Sequence, residues 1–251
     1  MNAFLAGPIA FICLMGATLL GMGLSRRLPD HHLSREAKDV INLSTAVIGT
    51  LAALALGLLI SSANTTYENA DTELKTSVAH VVLLDRVMSQ YGPETMDARA
   101  DLRNLVEDRL ARAWSGDQAA PSSVNGGPGM EPVEKSLREL MPDSSPKKLL
   151  QARALQICND IDEGFWLQTE TIGGGLPGPF LIILVLWLTV LFGTFGLLAP
   201  VNPTVVVILT ACAISVAAAI YLIVDMDHPY IGFIHVSDEP LRAALKQLGG
   251  P

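Results

Sequence analysis

Four apolar runs and one long polar stretch of helical periodicity divide this chain. Ala3–Leu24, Val40–Ser62 and Leu176–Leu198 hold no Asp, Glu, Lys or Arg, and Thr204–Val224 is equally free of charge before it meets Asp225 and Asp227. A helix crossing a bilayer needs about 20 mostly apolar residues, so each run is long enough to span. The first has no basic region ahead of its apolar core and is longer than a usual signal-peptide core, so it reads as an anchor. Beyond Ser62 no Gly or Pro occurs until Gly92-Pro93. Leu74, Val78, Val81, Val82 and Asp85 recur there at three- and four-residue spacing, which predicts that the second span continues as one helix well past the membrane.

Pro93 suits the first turn of a following helix. Met96–Trp114 then places Leu102, Leu105, Val106, Leu110 and Trp114 on one face, with Asp101, Asp108 and Arg112 toward the other, an amphipathic helix. Ser115–Pro132 is rich in Gly, Pro and Ser and reads as a flexible loop. Val133–Leu140 and Pro146–Glu170 read as two further helices, the second capped by Ser144 or Ser145. Gly173-Gly174-Gly175 and Pro177-Gly178-Pro179 break the chain before the third span. No strand pattern and no repeat is visible.

The expected fold is all-α: four transmembrane helices with a helical extramembrane bundle inserted between spans two and three. Residues 1–62 supply the first two spans and a short basic loop, and 63–175 an acidic helical region. Residues 176–227 supply spans three and four, and 228–251 a C-terminal tail.

Composition agrees with this division. Half of the 251 residues are hydrophobic and 17% are charged, against about 25% charged in soluble domains. That excludes an ordinary soluble enzyme and a disordered chain. A net charge of −8 also argues against nucleic acid as a partner, because phosphate backbones call for a basic surface. The charge is concentrated: residues 63–175 carry eighteen Asp/Glu against eleven Lys/Arg, a net of −7. Arg26, Arg27, Arg35 and Lys38 crowd the loop between spans one and two, while the turn between spans three and four has no basic residue. The positive-inside rule then puts the basic loop in the cytoplasm, with both termini and the acidic region outside.

Candidate chemistry is sparse. Cys13 and Cys212 lie in spans and Cys158 in the acidic region, so no disulfide framework is available. No metal-ligand spacing appears, and the His31-His32 pair lacks further ligands. No phosphate-cradling loop, HExxH or GxSxG occurs. No cofactor is expected, and an enzyme is the least favoured class. Span two is the most informative segment. Gly49, Ala53 and Gly57 fall four apart, with Ala46 and Ala52 close by, which suits close helix packing. The sharper alternative is a pore-lining face, with Asn42, Thr45, Thr50 and Ser61 offering polar groups to water. At the end of span four, Asp225, Asp227 and His228 offer a site for a cation or a pH response. Their simpler reading is as markers of the membrane edge.

Several strings together carry a likeness: residues 26–34 (RRLPDHHLS) with Lys38-Asp39-Val40, residues 52–60 (AALALGLLI), residues 83–87 (LLDRV) with 91–94 (YGPE), and residues 232–237 (GFIHVS) with 240–245 (PLRAAL). In this order they resemble a bacterial membrane family described as bestrophin-like. The resemblance implies four spans, a helical extramembrane region and a homo-oligomer, commonly a pentamer, around an ion path lined by the second helix. The chain departs from true bestrophins in three ways, the first being that the positive-inside reading puts the acidic region outside, whereas their large domain is cytosolic. Val40–Ser62 contains no Phe, whereas their pore neck is aromatic, and their acidic calcium clasp has no residue-by-residue match. Anion selectivity is therefore not carried over, and an acidic vestibule favours cations by concentrating them. The leading expectation is a homo-oligomeric ion channel of the bacterial inner membrane. The alternatives are a non-conducting scaffold whose bundle binds a protein partner and, third, a transporter, which calls for broken helices and paired repeats.

Overall fold

The computed structural model describes residues 3–29, 34–113, 129–172, 178–200, 202–227, 229–230 and 232–248. Trp114, the loop over 115–128, His31-His32, the glycines at 173–175 and His228 lie outside the described residues. The described chain is helical, without strands: α1 (Ala3–Ser25), α2 (Arg35–Tyr91), a 3-10 turn (Pro93–Thr95), α3 (Met96–Ala113), α4 (Glu131–Arg138), α5 (Ser145–Ile172), α6 (Gly178–Leu198), α7 (Pro203–Met226) and α8 (Glu239–Gln247). Four of these, α1, α2, α6 and α7, are long and apolar enough to cross a membrane. Their outward surfaces carry large aliphatic side chains, among them Leu20, Leu43, Leu54, Ile182, Leu186 and Val207. Contiguous apolar surface on that scale marks contact with a membrane or a protein rather than with water.

The chain divides into two compact units, Met1–Thr66 with Gly175–Asp227, and Tyr67–Gly174 with His228–Pro251. In the first, α1 packs on both α6 and α7. Its core sets the small residues Ala6 and Ala10 of α1, Ala52 and Ala63 of α2 and Ala213 of α7 against Leu181, Leu184, Leu188 and Leu191 of α6. Small side chains let helix backbones approach closely, the main source of helix association in lipid. The approach is tightest where Gly196 of α6 meets the Thr18 backbone and Gly21 of α1 meets the Gly193 carbonyl, since a Cβ at either glycine would overlap main-chain atoms. Hydroxyls are returned to the helix backbone: the buried Thr18 donates to the Leu14 carbonyl at 2.9 Å and the half-buried Thr210 to that of Val206 at 2.7 Å. This satisfies polar groups that lipid would leave unpaired. Asn202 caps α7, its side-chain oxygen accepting the Thr204 N–H at 3.1 Å, and Pro203 occupies the first turn.

The second unit is a helical bundle. Val81, Leu84, Val87 and Met88 from the end of α2 meet Ala98, Leu102, Leu105 and Val106 of α3, Val133 and Leu137 of α4, and Ala154, Ile157, Cys158 and Ile161 of α5. Leu241 of α8 and Leu248 close the core. The tail therefore ends in a docked helix, an element absent from the expectation above. The turn from α2 to α3 is built locally. Gly92 sits at φ +131°, a region L side chains rarely adopt. The buried Thr95 hydroxyl reaches the Met88 carbonyl at 2.7 Å and that of Gly92 at 2.8 Å, satisfying acceptors left open at a helix end.

Candidate functional site

Helix α2 runs for 57 residues because nothing in Ser62–Tyr91 breaks it, and its apolar half presents three different faces. One turns into its own unit: Thr45, Ala52, Leu59 and Ala63 are buried, with Ile48, Ala55 and Leu56 beside them. A second carries exposed aliphatics, Leu43, Val47, Leu51, Leu54 and Leu58. The third carries Asn42, Ala46, Thr50, Ala53, Gly57 and Ser61, all exposed. Steps of three and four along the sequence place these six residues on one continuous stripe.

The eight residues singled out on span two are thus divided. Thr45 is 8% exposed and hydrogen-bonds Thr194 of α6, Oγ1 to Oγ1, at 3.3 Å. Gly49 is half-buried, and a Cβ there would lie 3.8 Å from the Leu191 side chain. Both turn toward α6. The physical reason is phase. At about 100° per residue, position 45 falls on the buried face with Ala52 and Ala63, and position 49 between that face and the exposed stripe; α6 lies beside both. On the stripe itself, Thr50 donates to the Val47 carbonyl at 2.8 Å, which leaves its hydroxyl oxygen able to accept from water.

The acidic end of α7 is also divided. Asp225 is fully buried, and the Tyr221 hydroxyl, one turn back, hydrogen-bonds its carboxylate. Asp227 closes the helix as its C-cap and is half-buried. The pair does not form one open carboxylate face. Among the described residues, no three His, Cys, Asp or Glu side chains come together to hold a metal ion.

The bundle contains charge chemistry that the sequence did not signal. Arg99 of α3 forks onto Asp85 of α2, with Nε to Oδ1 at 2.7 Å and Nη2 to Oδ2 at 3.0 Å. The side chains are 19% and 12% exposed, and the hydrogen bonds to Asp85 raise the Arg99 pKa. Fourteen residues and a turn separate the two, so only the antiparallel return of α3 along α2 could have revealed them. Lys147 at the start of α5 reaches Glu94 at 2.7 Å and lies 5.3 Å from the centroid of the Tyr91 ring. The hydrogen bond from Lys147 lowers the Glu94 pKa, and the same bond raises that of Lys147. Burial, aided by Glu134 and Asp162, pushes the Cys158 thiol up to about 12. Burial first, then Glu73 and Asp71, raises the Tyr230 phenol.

A family model described as a bestrophin-like domain matches residues 12–241, from α1 through the first turn of α8. No curated protein and no solved structure matches the chain. The family match takes in most of α1, all of α2, α6 and α7, and the acidic region between them, and it agrees with the resemblance carried by the sequence strings. The chain is an integral membrane protein and belongs to the bestrophin-like family.

Proposed function

We propose that the chain forms a homo-oligomeric ion channel in which α1, α2, α6 and α7 span the bilayer and the exposed stripe of α2 lines the path. The observation that carries this reading is the stripe itself: Asn42, Ala46, Thr50, Ala53, Gly57 and Ser61 stay exposed beside a purely aliphatic face of the same helix. Lipid accounts for the aliphatic face, whereas polar groups at membrane depth call for water or for other helices. Grouped around an axis, copies of α2 would turn the small and polar stripe inward. Thr45 and Gly49 then belong to the wall behind the lining rather than to the lining itself. Family membership points to a channel-like role, and a pentamer is the arrangement the resemblance implies.

The inserted bundle lies outside the bacterial inner membrane in this reading, because the basic residues of the first loop favour the cytoplasmic side. Its net charge of −7 over residues 63–175 favours cations at the mouth. The test is current through the purified protein in planar bilayers under a salt gradient, with pH, calcium and voltage varied. The expected result is conductance with a reversal potential on the cation side. Intact oligomers that pass no current would overturn the reading and leave the non-conducting scaffold in its place.

A further inference from the structure

We infer that the first compact unit docks anionic phospholipids, their phosphates gripped by Arg26 and Arg27 just beyond α1 and by Arg35 and Lys38 in the opening turn of α2. All four side chains are exposed. Among the described residues none of the four takes part in an ion pair. The other unit treats its cations differently: Lys75, Arg99, Arg103, Arg138, Lys147 and Arg242 are each held by a carboxylate. The segment is not simply basic, because Asp30, Glu36 and Asp39 bring the net charge of residues 25–39 down to +1. Glu36 sits in the first turn of α2, where the N–H groups of the helix end favour a carboxylate. The cations stand without such a partner, and their long side chains carry several donors each outward from the helix ends.

Packing inside the unit gathers the four cations at one end. Gly21 of α1 faces Gly193 and Leu197 near the close of α6, and Gly7 at the start of α1 faces Tyr221 near the close of α7. The connection from α6 to α7 therefore lies where α1 finishes, and it adds no charge of either sign. Helix α2 runs against α6, with Thr45 bonded to Thr194 and Gly49 beside Leu191, so Arg35 opens α2 at this same end. Large aliphatics border the cations. Leu20 and Leu24 of α1 and Val40 and Leu43 of α2 are each more than half exposed. Arg26 comes two residues after Leu24, and Lys38 comes two residues before Val40, about 3 Å of helix rise. That is headgroup depth, since the polar layer is about 5–7 Å deep on each side of the hydrocarbon. An aliphatic wall rimmed by cations without carboxylate partners fits the two parts of one molecule, the acyl chain and the phosphate of an anionic lipid.

The inference rests on the reading that α1 and α2 cross the bilayer, and the experiment separates the two. The full-length protein is reconstituted in phosphatidylcholine vesicles with a trace of either phosphatidylglycerol or phosphatidylcholine spin-labelled deep in the acyl chain. The motionally restricted part of the spectrum reports lipid held at the protein surface. The expected result is a several-fold preference for phosphatidylglycerol over phosphatidylcholine. It should shrink as salt rises from about 0.1 M to 1 M, which shortens the screening length from about 10 Å to 3 Å. Joint substitution of Arg26→Gln, Arg27→Gln, Arg35→Gln and Lys38→Gln should abolish the preference while leaving the restricted fraction of phosphatidylcholine unchanged, the sign of an intact span surface. Lys135→Gln with Lys148→Gln, exposed cations of the other unit, should leave the preference in place. Equal restriction of the two lipids by the natural protein, or a preference that survives the fourfold substitution, overturns the inference. Loss of the preference to inorganic phosphate but not to chloride at equal ionic strength assigns the site to free phosphate and overturns the lipid. A spectrum with no restricted component for either lipid overturns the spanning reading instead.

Discussion

The Arg99–Asp85 fork shows what one residue contributes in the bundle. Both side chains are mostly out of water, and removing Asp85 takes from the guanidinium the carboxylate that its fork grips. Asp85→Ala is expected to destabilise the protein by about 3 kcal/mol, read as a drop in denaturation midpoint in detergent. Arg99→Lys keeps the charge but not the fork and should recover only part of the loss. The exposed Lys147–Glu94 pair behaves differently because it depends on pH. Glu94 is depressed in the folded state, so its contribution is present above the ordinary carboxylate range and lost as pH falls through the depressed value. Lys147 is raised, so its contribution holds below the ordinary lysine range and fades as pH rises through the raised value. Melting temperatures of the natural protein and of Glu94→Gln should differ by a constant small amount around neutrality and converge at both extremes.

Close approach of backbones governs the helices of the membrane half. Gly196→Val places a branched side chain on the Thr18 main chain, and neither helix can yield without losing its partner. A loss of at least about 2 kcal/mol is expected, seen as reduced monodisperse protein on size exclusion. Gly193→Ala is the control, since its Cβ would meet Ala17 at an ordinary 3.8 Å. Much of this element scale was legible in advance. The absence of Gly and Pro between Ser62 and Gly92 foretold the run of α2 to Tyr91, and the apolar periodicity foretold α3 to within a residue of its described end. Helix α8 escaped notice because Leu241, Ala244, Leu245 and Leu248 make a short pattern whose meaning depends on the bundle it docks against. The turn of Thr45 and Gly49 toward α6 was equally hidden. A stripe of small residues has the same spacing whatever it faces, and only the fold brings Leu191 and Thr194 of α6 against these two positions.

For the whole molecule, adjacent positions on α2 supply a sharp contrast. Ala53→Trp on the stripe is expected to suppress current by at least about tenfold through steric closure, whereas Leu54→Trp, turned about 100° away toward the aliphatic face, should leave current near its natural level. Bilayer recording, with crosslinking to verify the oligomer, distinguishes them. The same geometry gives the unbroken α2 a meaning beyond its length. A helix without an internal break keeps torsional phase, so the azimuth of Val78 and Val81 fixes that of Leu84 and Met88 farther along the same core-facing side. One alanine inserted after Val82 turns Leu84 and Met88 about 100° away from the face they share with Val78 and Val81, whereas seven inserted residues amount to nearly two full turns and restore that face to within about 20°. The chain should therefore tolerate the larger insertion better than the smaller.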